Sequence, residues 1–486
     1  MTKLTPDAVV AAVDLGATSG RVMLGHVGRN ELRLHSVARF PNGPTPVNEN
    51  GRVSLHWNIV ELYRNVLAGL ATAVAQEPGL ASIGVDSWAV DYALLRHGRM
   101  LQVPYHYRDD RTLPAVDAVH ALAGPAGLYE VNGLQFLPFN SLYQLAADRE
   151  AGTLDLADQM LLVPDLLGYW LTGVSAAERT NASTTGLLDV RTGDWNESLI
   201  NRLGFNRSLF PPLINAGTRV GSLLPSVAAE IRSSRRVEVT AIGSHDTASA
   251  VVAVPATGED FAYISCGTWG LVGVELEGPV LTAQSREQNF TNEGGVDGRV
   301  RYLHNVMGLW LLSESIRSWE NEGQSIVLAD LLREAAAVTA PVAVFDTDDQ
   351  RFLTPGDMPS RIRAYCEENG LEPPRSMAEM VRSILESLAD AFARGVQQAS
   401  LLSGKTVREV HIVGGGSQNR LLCQLTADRL GLPVLAGPVE ATAIGNVLIQ
   451  ARAQGLVAGS LEELRALVAR SFVPEAYTPA RSLVRQ

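Results

Sequence analysis

Lysine is almost missing from this chain. Lys3 and Lys405 are the only two in 486 residues. Any phosphate site here must therefore rely on backbone N–H groups, hydroxyls, arginine or metal. A Walker A loop is absent as well. Gly404-Lys405-Thr406 resembles its end, but Ala399 stands where its first glycine is required. Cysteine is scarce, and Cys266, Cys366 and Cys423 are too far apart for a zinc pattern or a disulfide framework. No Gly-x-Ser-x-Gly elbow occurs, which weakens a serine-hydrolase reading. No apolar stretch reaches the ~18–20 residues of a membrane span. Met1 to Asp14 lacks the basic start and apolar stretch of a secretory signal. Charge of one sign never runs long. The balance of 40 Lys+Arg against 52 Asp+Glu, net −12, argues against nucleic acid or an anionic membrane as partner. These absences predict a cytoplasmic enzyme.

What is present is apolar and periodic. Apolar residues make up 46% of the chain, enough for a large core, and the length suits two large domains. Val9–Val13 reads as a buried strand, Asp14–Gly20 as a Gly- and hydroxyl-rich turn, and Arg21–Val27 as a returning strand. Ile59, Leu62, Val66, Leu67, Leu70 and Val74 recur at helical spacing, and the strand Ser82–Val85 leads into Asp86-Ser87-Trp88. The second half repeats this logic. The strand Phe261–Ser265 is followed by the turn Cys266–Gly270 and the strand Leu271–Val274. Ser376 and Glu379 have the spacing of a capping box. The strand Val410–Val413 then runs into Gly414-Gly415-Gly416. We read an N-terminal domain over residues 1–248, a C-terminal domain of related architecture over 258–451, and a segment, 452–486, that packs back on the first domain.

Several clusters carry chemistry. The turn from Asp14 to Arg21 points backbone N–H groups into one space, a nest for phosphate oxygens, and Asp14 suits Mg²⁺ through water. An ordinary hairpin turn explains the same residues equally well. Gly267-Thr268 offers a second such turn, and Gly414–Gly416 lets a ribose or adenine approach the backbone closely. Ser244-His245-Asp246-Thr247 follows the strand Val237–Ile242. Asp246 is there either a helix N-cap or a base for a hydroxyl proton. Asp86-Ser87-Trp88-Ala89-Val90-Asp91 offers a polyol two acids and a ring face. The small residues of 440–446 suit either nucleotide proximity or helix–helix packing.

Taken together, AVDLGATSGRVML, IGVDSWAVDYALL, YRDDRT, GLQFLPFNSLYQL, IGSHDTASAV, SCGTWGLVG, NVMGLWLL, HIVGGGSQN and AGPVEATAIGN resemble the FGGY family of carbohydrate kinases, from Val10 to about Gln450. The resemblance implies an α/β protein of two ribonuclease-H-like, actin/hexokinase-type domains flanking a deep catalytic cleft. It also implies ATP-dependent phosphorylation of a small sugar. The Ser-His-Asp-Thr block, FLPFNSLYQL and NVMGLWLL are most like family members acting on L-rhamnulose. By this resemblance Asp246 is the proton acceptor and contacts the sugar with Ala89, His245, Thr247 and Asn305. Ala17, Thr18, Ser19, Gly20, Arg21, Thr268, Ser313 and Gly415 match ATP positions, and Asp14 matches the acid associated with Mg²⁺. Three departures stand out: Ala89 replaces a glycine, Ser313 a glutamine and Cys266 a serine. The alternatives are a kinase for fuculose, xylulose or glycerol, and a non-catalytic nucleotide-binding protein of the actin/Hsp70 type.

Overall fold

The computed structural model describes residues 8–28, 31–49 and 51–480. It separates into two compact units, each made of three stretches of chain. The first comprises Met1–Thr257, Glu275–Tyr302 and Ala441–Phe472; the second comprises Gly258–Val274, Leu303–Glu440 and Val473–Gln486.

A six-stranded sheet organises the first unit, in the order Arg219–Ser222, Glu238–Thr240, Ser82–Ser87, Ala8–Leu15, Ser19–Gly28, Glu31–Pro41. Ala8–Leu15 lies in its middle. Val10 to Val13 are wholly buried, which explains an unbroken apolar run where a half-exposed strand would alternate. This strand forms an antiparallel hairpin with Ser19–Gly28, setting Asp14 opposite Arg21. It also pairs in parallel with Ser82–Ser87, setting Asp14 beside Asp86. Ser82–Ser87 pairs in parallel with Glu238–Thr240, a strand shorter than the predicted Val237–Ile242. Three parallel strands thus end at one edge of the sheet. The helix Ile59–Gln76 is capped by Asn58, whose side chain accepts the Glu61 N–H at 3.4 Å. It buries Ile59, Leu62, Val66 and Leu70, each worth about 1.5–3 kcal/mol when removed from water. A separate apolar core, including Tyr92, Leu145, Leu162, Trp195 and Phe210, supports the segment between Ser87 and the Glu238–Thr240 strand.

The second unit repeats the opening pattern. Phe261–Cys266 and Gly270–Leu276 make an antiparallel hairpin, and Phe261–Cys266 pairs in parallel with Glu409–Val413. Val434–Ala436 and Glu475–Tyr477 extend the sheet beyond Glu409–Val413. The long helix Met377–Ser403 begins with the expected capping box, in which the Ser376 hydroxyl accepts the Glu379 N–H. It ends at Gly404, whose φ of 72° closes the last turn in the left-handed region. The Walker-like Gly404-Lys405-Thr406 is therefore a helix terminus. The three cysteines are free and buried. Among the described residues no helix is long and apolar enough to cross a membrane.

The stretch Ala441–Phe472 belongs to the first unit. The helix Leu461–Ser471 packs on Glu31–Pro41 and on the helix Asp246–Val252. Arg465 forms a buried bidentate pair with Glu275 at 2.8 and 2.9 Å and donates to the Val251 carbonyl at 3.1 Å. The helix Ala441–Ala453 packs closely against Asp246–Val252, and a Cβ at Gly445 would overlap the Ser249 carbonyl oxygen. The small residues of 440–446 therefore serve helix–helix packing. Gly445→Val is expected to lower the unfolding free energy by about 3 kcal/mol, since a backbone carbonyl cannot yield as a side chain can. Denaturant titration of both proteins measures this. Equal midpoints and slopes would mean that the contact is not made.

Candidate active site

The ends of the three parallel strands carry a group of carboxylates. Asp14 is buried, and its Oδ2 lies 2.9 Å from Arg21 Nε across the hairpin. Asp86 is wholly buried one strand away, and its Oδ2 accepts the Asn446 side-chain amide at 2.6 Å. Asn446 also donates to the Gly84 carbonyl, and its oxygen accepts from Gln450, which in turn donates to the Ala11 carbonyl. The helix Ala441–Ala453 is thus tied to the two central strands by polar bonds as well as by packing. Burial pushes the Asp86 carboxyl well above its ordinary range. The nearby Asp14 and Asp246 carboxylates push the same way, and the Asn446 amide opposes them.

Asp246 follows the third strand. Ser87 donates its N–H to the Ser244 carbonyl at 3.0 Å, and Ser87 and His245 form an isolated parallel bridge, which extends the sheet to the catalytic candidate. The N-cap of the helix Asp246–Val252 is His245, and Asp246 is the first helical residue. Asp246 Oδ1 accepts the Thr247 N–H at 2.6 Å and lies 3.4 Å from His245 Nε2. The Asp246 side chain keeps 28% of its surface exposed, so a ligand can reach the carboxylate. Burial raises its pKa, whereas His245, Thr247 and Arg301 pull it back down.

Behind His245 lies a buried charged pair. Arg301 is fully buried, 3.1 Å from Glu293, and its Nε donates to the Gly294 carbonyl at 2.9 Å. Another of its nitrogens approaches His245 Nδ1 at 3.0 Å, and Glu293 lies 3.3 Å from the same atom. The imidazole is held on one side by this pair and presents Nε2 to Asp246.

The Asp86–Asp91 segment is divided. Ala89 is half-buried, and its carbonyl accepts the Asp91 N–H at 2.8 Å. Val90 has a φ of 66°, a costly conformation for a β-branched residue. It is fixed by the Ser141 hydroxyl on its carbonyl at 2.5 Å and the Thr184 hydroxyl on its N–H at 3.3 Å. Asp91 turns inward and does not offer itself to a ligand. It accepts from Trp57 Nε1, Trp88 Nε1, the Tyr107 N–H and Gln144 at 2.6 to 3.1 Å. Burial, opposed by these donors, raises its pKa to about 6. Trp88 is likewise interior and packs, tilted by 31°, against Trp57 with ring centroids 3.8 Å apart. The expectation of two acids and a ring face for a polyol is corrected on this point: Asp91 and Trp88 are interior, and Ala89 is half-buried.

The first turn carries the remaining candidates of this unit. Gly16 N–H donates to the Ser19 carbonyl at 2.9 Å, closing the turn around Ala17 and the exposed Thr18. Asn42 donates to the Gly16 and Thr18 carbonyls from outside. Gly20 must lack a side chain, because a Cβ would enter the Phe40 ring.

In the second unit, the Gly267 and Thr268 carbonyls accept the N–H groups of Leu309 and Trp310, which brings the helix Trp310–Asn321 onto the turn. Ser313 is exposed on that helix. Gly414, with a φ of 84°, and Gly416 pack so tightly on Cys266 that a Cβ at Gly416 would overlap its sulfur. Gly415 has open space where a side chain would be and is exposed. Asn305, half-buried near the end of the strand Val300–Val306, belongs to the same unit.

Hard carboxylate oxygens suit Mg²⁺, and Asp14 and Asp246 both raise the proton affinity of the buried Asp86 between them. Among the described residues no three His, Cys, Asp or Glu side chains are close enough to hold a metal alone.

Two family models match the chain: the N-terminal domain of the FGGY family of carbohydrate kinases over residues 9–253 and its C-terminal domain over residues 262–454. Curated relatives include the rhamnulokinase of Pectobacterium atrosepticum, 42% identical over 475 residues, which spans 97% of this chain and 93% of the relative. The rhamnulokinase of Bacteroides thetaiotaomicron is 40% identical over 471 residues, 96% of this chain and 95% of the relative. Similar solved structures include a ligand-bound xylulose kinase from Lactobacillus acidophilus, with a TM-score of 0.76, 16% identity and coverage of 97% and 94%. Plasmodium falciparum glycerol kinase with ADP has a TM-score of 0.76, 16% identity and coverage of 98% and 94%. These two likenesses carry the fold, the two-domain α/β architecture of the actin/hexokinase type. On the two domain matches and the near full-length identity, the chain belongs to the FGGY family of carbohydrate kinases.

Proposed function

We propose that this chain transfers the γ-phosphoryl group of ATP to the C1 hydroxyl of L-rhamnulose, with Asp246 as proton acceptor. The observation that carries the mechanism is a reachable carboxylate, Asp246, set beside two further buried acids at the ends of three parallel strands. The identity of the sugar is supported by relatives named rhamnulokinase that match over nearly the whole chain.

Phosphoryl transfer passes through a loose transition state, so the protein has chiefly to position groups and neutralise charge. Asp246 orients the acceptor hydroxyl and takes its proton as the new P–O bond forms. His245 Nε2, 3.4 Å from the same carboxylate, is placed to hold a neighbouring sugar oxygen. Thr247 and the Ala89 backbone border that space, and Asn305 is assigned to the sugar by family resemblance. Arg21 and the backbone N–H groups of Ala17–Gly20 supply positive potential for phosphate oxygens. Thr268, Gly415 and Ser313 serve the nucleotide, and an exposed glycine suits its close approach. Asp14 would hold Mg²⁺, which would neutralise phosphate charge when bound.

Initial rates with L-rhamnulose, L-fuculose, D-xylulose and glycerol, with and without Mg²⁺, test the reading through release of ADP. L-Rhamnulose should give the highest kcat/KM, and a higher value for any other acceptor would overturn the sugar assignment. Asp246→Asn should lower kcat by about 10³-fold while leaving the affinity for ATP unchanged. Near-parental turnover would remove Asp246 from its role.

The pH dependence has a definite sign. The base must be ionised, so kcat/KM is at its plateau above the raised pKa of Asp246 and falls as pH drops through it. The acid limb should therefore lie above the ordinary carboxylate range. Rate profiles across acid and neutral pH read this directly, and a limb at or below the range of a free aspartate contradicts it.

A further inference from the structure

Glu178 is buried one residue before the helix Arg179–Ala182, far in sequence from Asp246. One of its oxygens, Oε2, accepts an unusual number of bonds. It takes the Ser244 N–H at 3.0 Å and the Ser244 hydroxyl at 2.9 Å. It also takes the Thr180 N–H at 3.0 Å, the Thr180 hydroxyl at 2.5 Å and the Asn181 N–H at 3.4 Å. The Thr180 hydroxyl, aligned by donating to Glu178, accepts the His245 N–H at 3.3 Å. The two residues that precede Asp246 therefore have their backbone N–H groups fixed by one carboxyl, directly for Ser244 and through Thr180 for His245. Asn181 adds a bond of 3.5 Å to the Ser244 carbonyl. Residues 241–244 have no regular structure of their own to set their path.

The other oxygen faces elsewhere. Glu178 and Asp165 line one small cavity together with Val85, Thr240 and Ser244, and neither Glu178 Oε1 nor Asp165 Oδ2 has a hydrogen-bond partner among the described residues. Asp165 Oδ1 accepts the Glu178 N–H at 3.2 Å, which locks the two acids back to back. Burial raises the pKa of both, and the Glu178 carboxyl adds to the effect on Asp165. Glutamine has the same shape as Glu178 and is the conservative replacement. In glutamine the amide oxygen keeps the five donors, and the amide nitrogen enters the cavity facing Asp165.

We propose that Glu178 is a positioning residue for phosphoryl transfer: by fixing the backbone of Ser244 and His245 it aims the Asp246 carboxylate at the acceptor hydroxyl. The inference rests on the assignment of Asp246 as base, and the experiment separates the two. The parent, Glu178→Ala, Asp246→Asn, the double variant and Glu178→Gln are compared with L-rhamnulose and Mg-ATP, with melting temperature measured for each.

Glu178→Ala should lower kcat about 10²-fold, the cost of misplacing a reacting group by about 1 Å, with the KM for ATP unchanged. Glu178→Gln should restore most of that loss. In the Asp246→Asn background the same Ala change should cost less than about threefold, because the two residues act as one unit. A loss of equal size in both backgrounds, or full turnover of Glu178→Ala, overturns the inference. A Gln variant as impaired as Ala does the same. Full turnover of Asp246→Asn alone defeats the base assignment instead. If Glu178→Ala does not fold, Thr180→Val carries the test. It removes the hydroxyl that links Glu178 to His245 and should lower kcat at least about tenfold at a parental melting temperature. Full turnover in that variant also overturns the inference.

Discussion

Two carboxylates facing each other across adjacent parallel strands govern the first unit. Asp14 and Asp86 are register partners, and neighbouring strands lie about 4.8 Å apart. At that spacing two full charges repel by roughly 3 kcal/mol, even in a medium as polarisable as a protein near its surface. Three features offset this. Arg21 pairs with Asp14, the Asn446 amide donates to Asp86, and Asp86 holds its proton more tightly than usual. A site with such stored repulsion favours arriving positive charge, whether metal ion or proton. That is the electrostatic condition for receiving a metal-bound polyphosphate.

Asp246 is served by a second layer of constraint. The sheet delivers its loop by the bridge between Ser87 and His245, and the Glu178 carboxyl fixes the backbone just before it. The Arg301–Glu293 pair holds the imidazole from behind. The helix it begins is fitted to Ala441–Ala453 through a glycine. Strain is kept out of this loop and is found at Val90, where two hydroxyls clamp a left-handed backbone. A reacting carboxylate placed by several independent contacts has little freedom left to lose on reaching the transition state.

Local signals in the sequence were enough for the frame. The apolar run Val9–Val13, the glycine-bearing turns and the Ser376/Glu379 cap each depend on residues within a few positions of one another. Resemblance across nine segments added the family and the two-domain fold. The partners that tune the site left no such trace. Asn446 meets Asp86 across 360 residues of sequence, Glu178 meets Ser244 across 66, and Arg301 meets His245 across 56. A buried asparagine in a run of small residues, or an arginine in a strand, has no periodicity that names its partner. Asp91 misled for a related reason: an acid at a strand end reads alike whether it faces solvent or four buried donors.

The three-part make-up of the first unit bears on biosynthesis. Its sheet is complete once the strand Glu238–Thr240 has been made, but the helix whose Asn446 donates to Asp86 lies at 441–453 and the one that pairs Arg465 with Glu275 at 461–471. On the ribosome the growing chain therefore leaves the Asp86 strand end and one face of the Asp246 helix uncovered while most of the second unit is being translated. Native closure of the first unit waits until the helix Leu461–Ser471 has been made. Domains of large chains usually mature in order from the N-terminus, but here the native packing of the first unit needs residues made after most of the second.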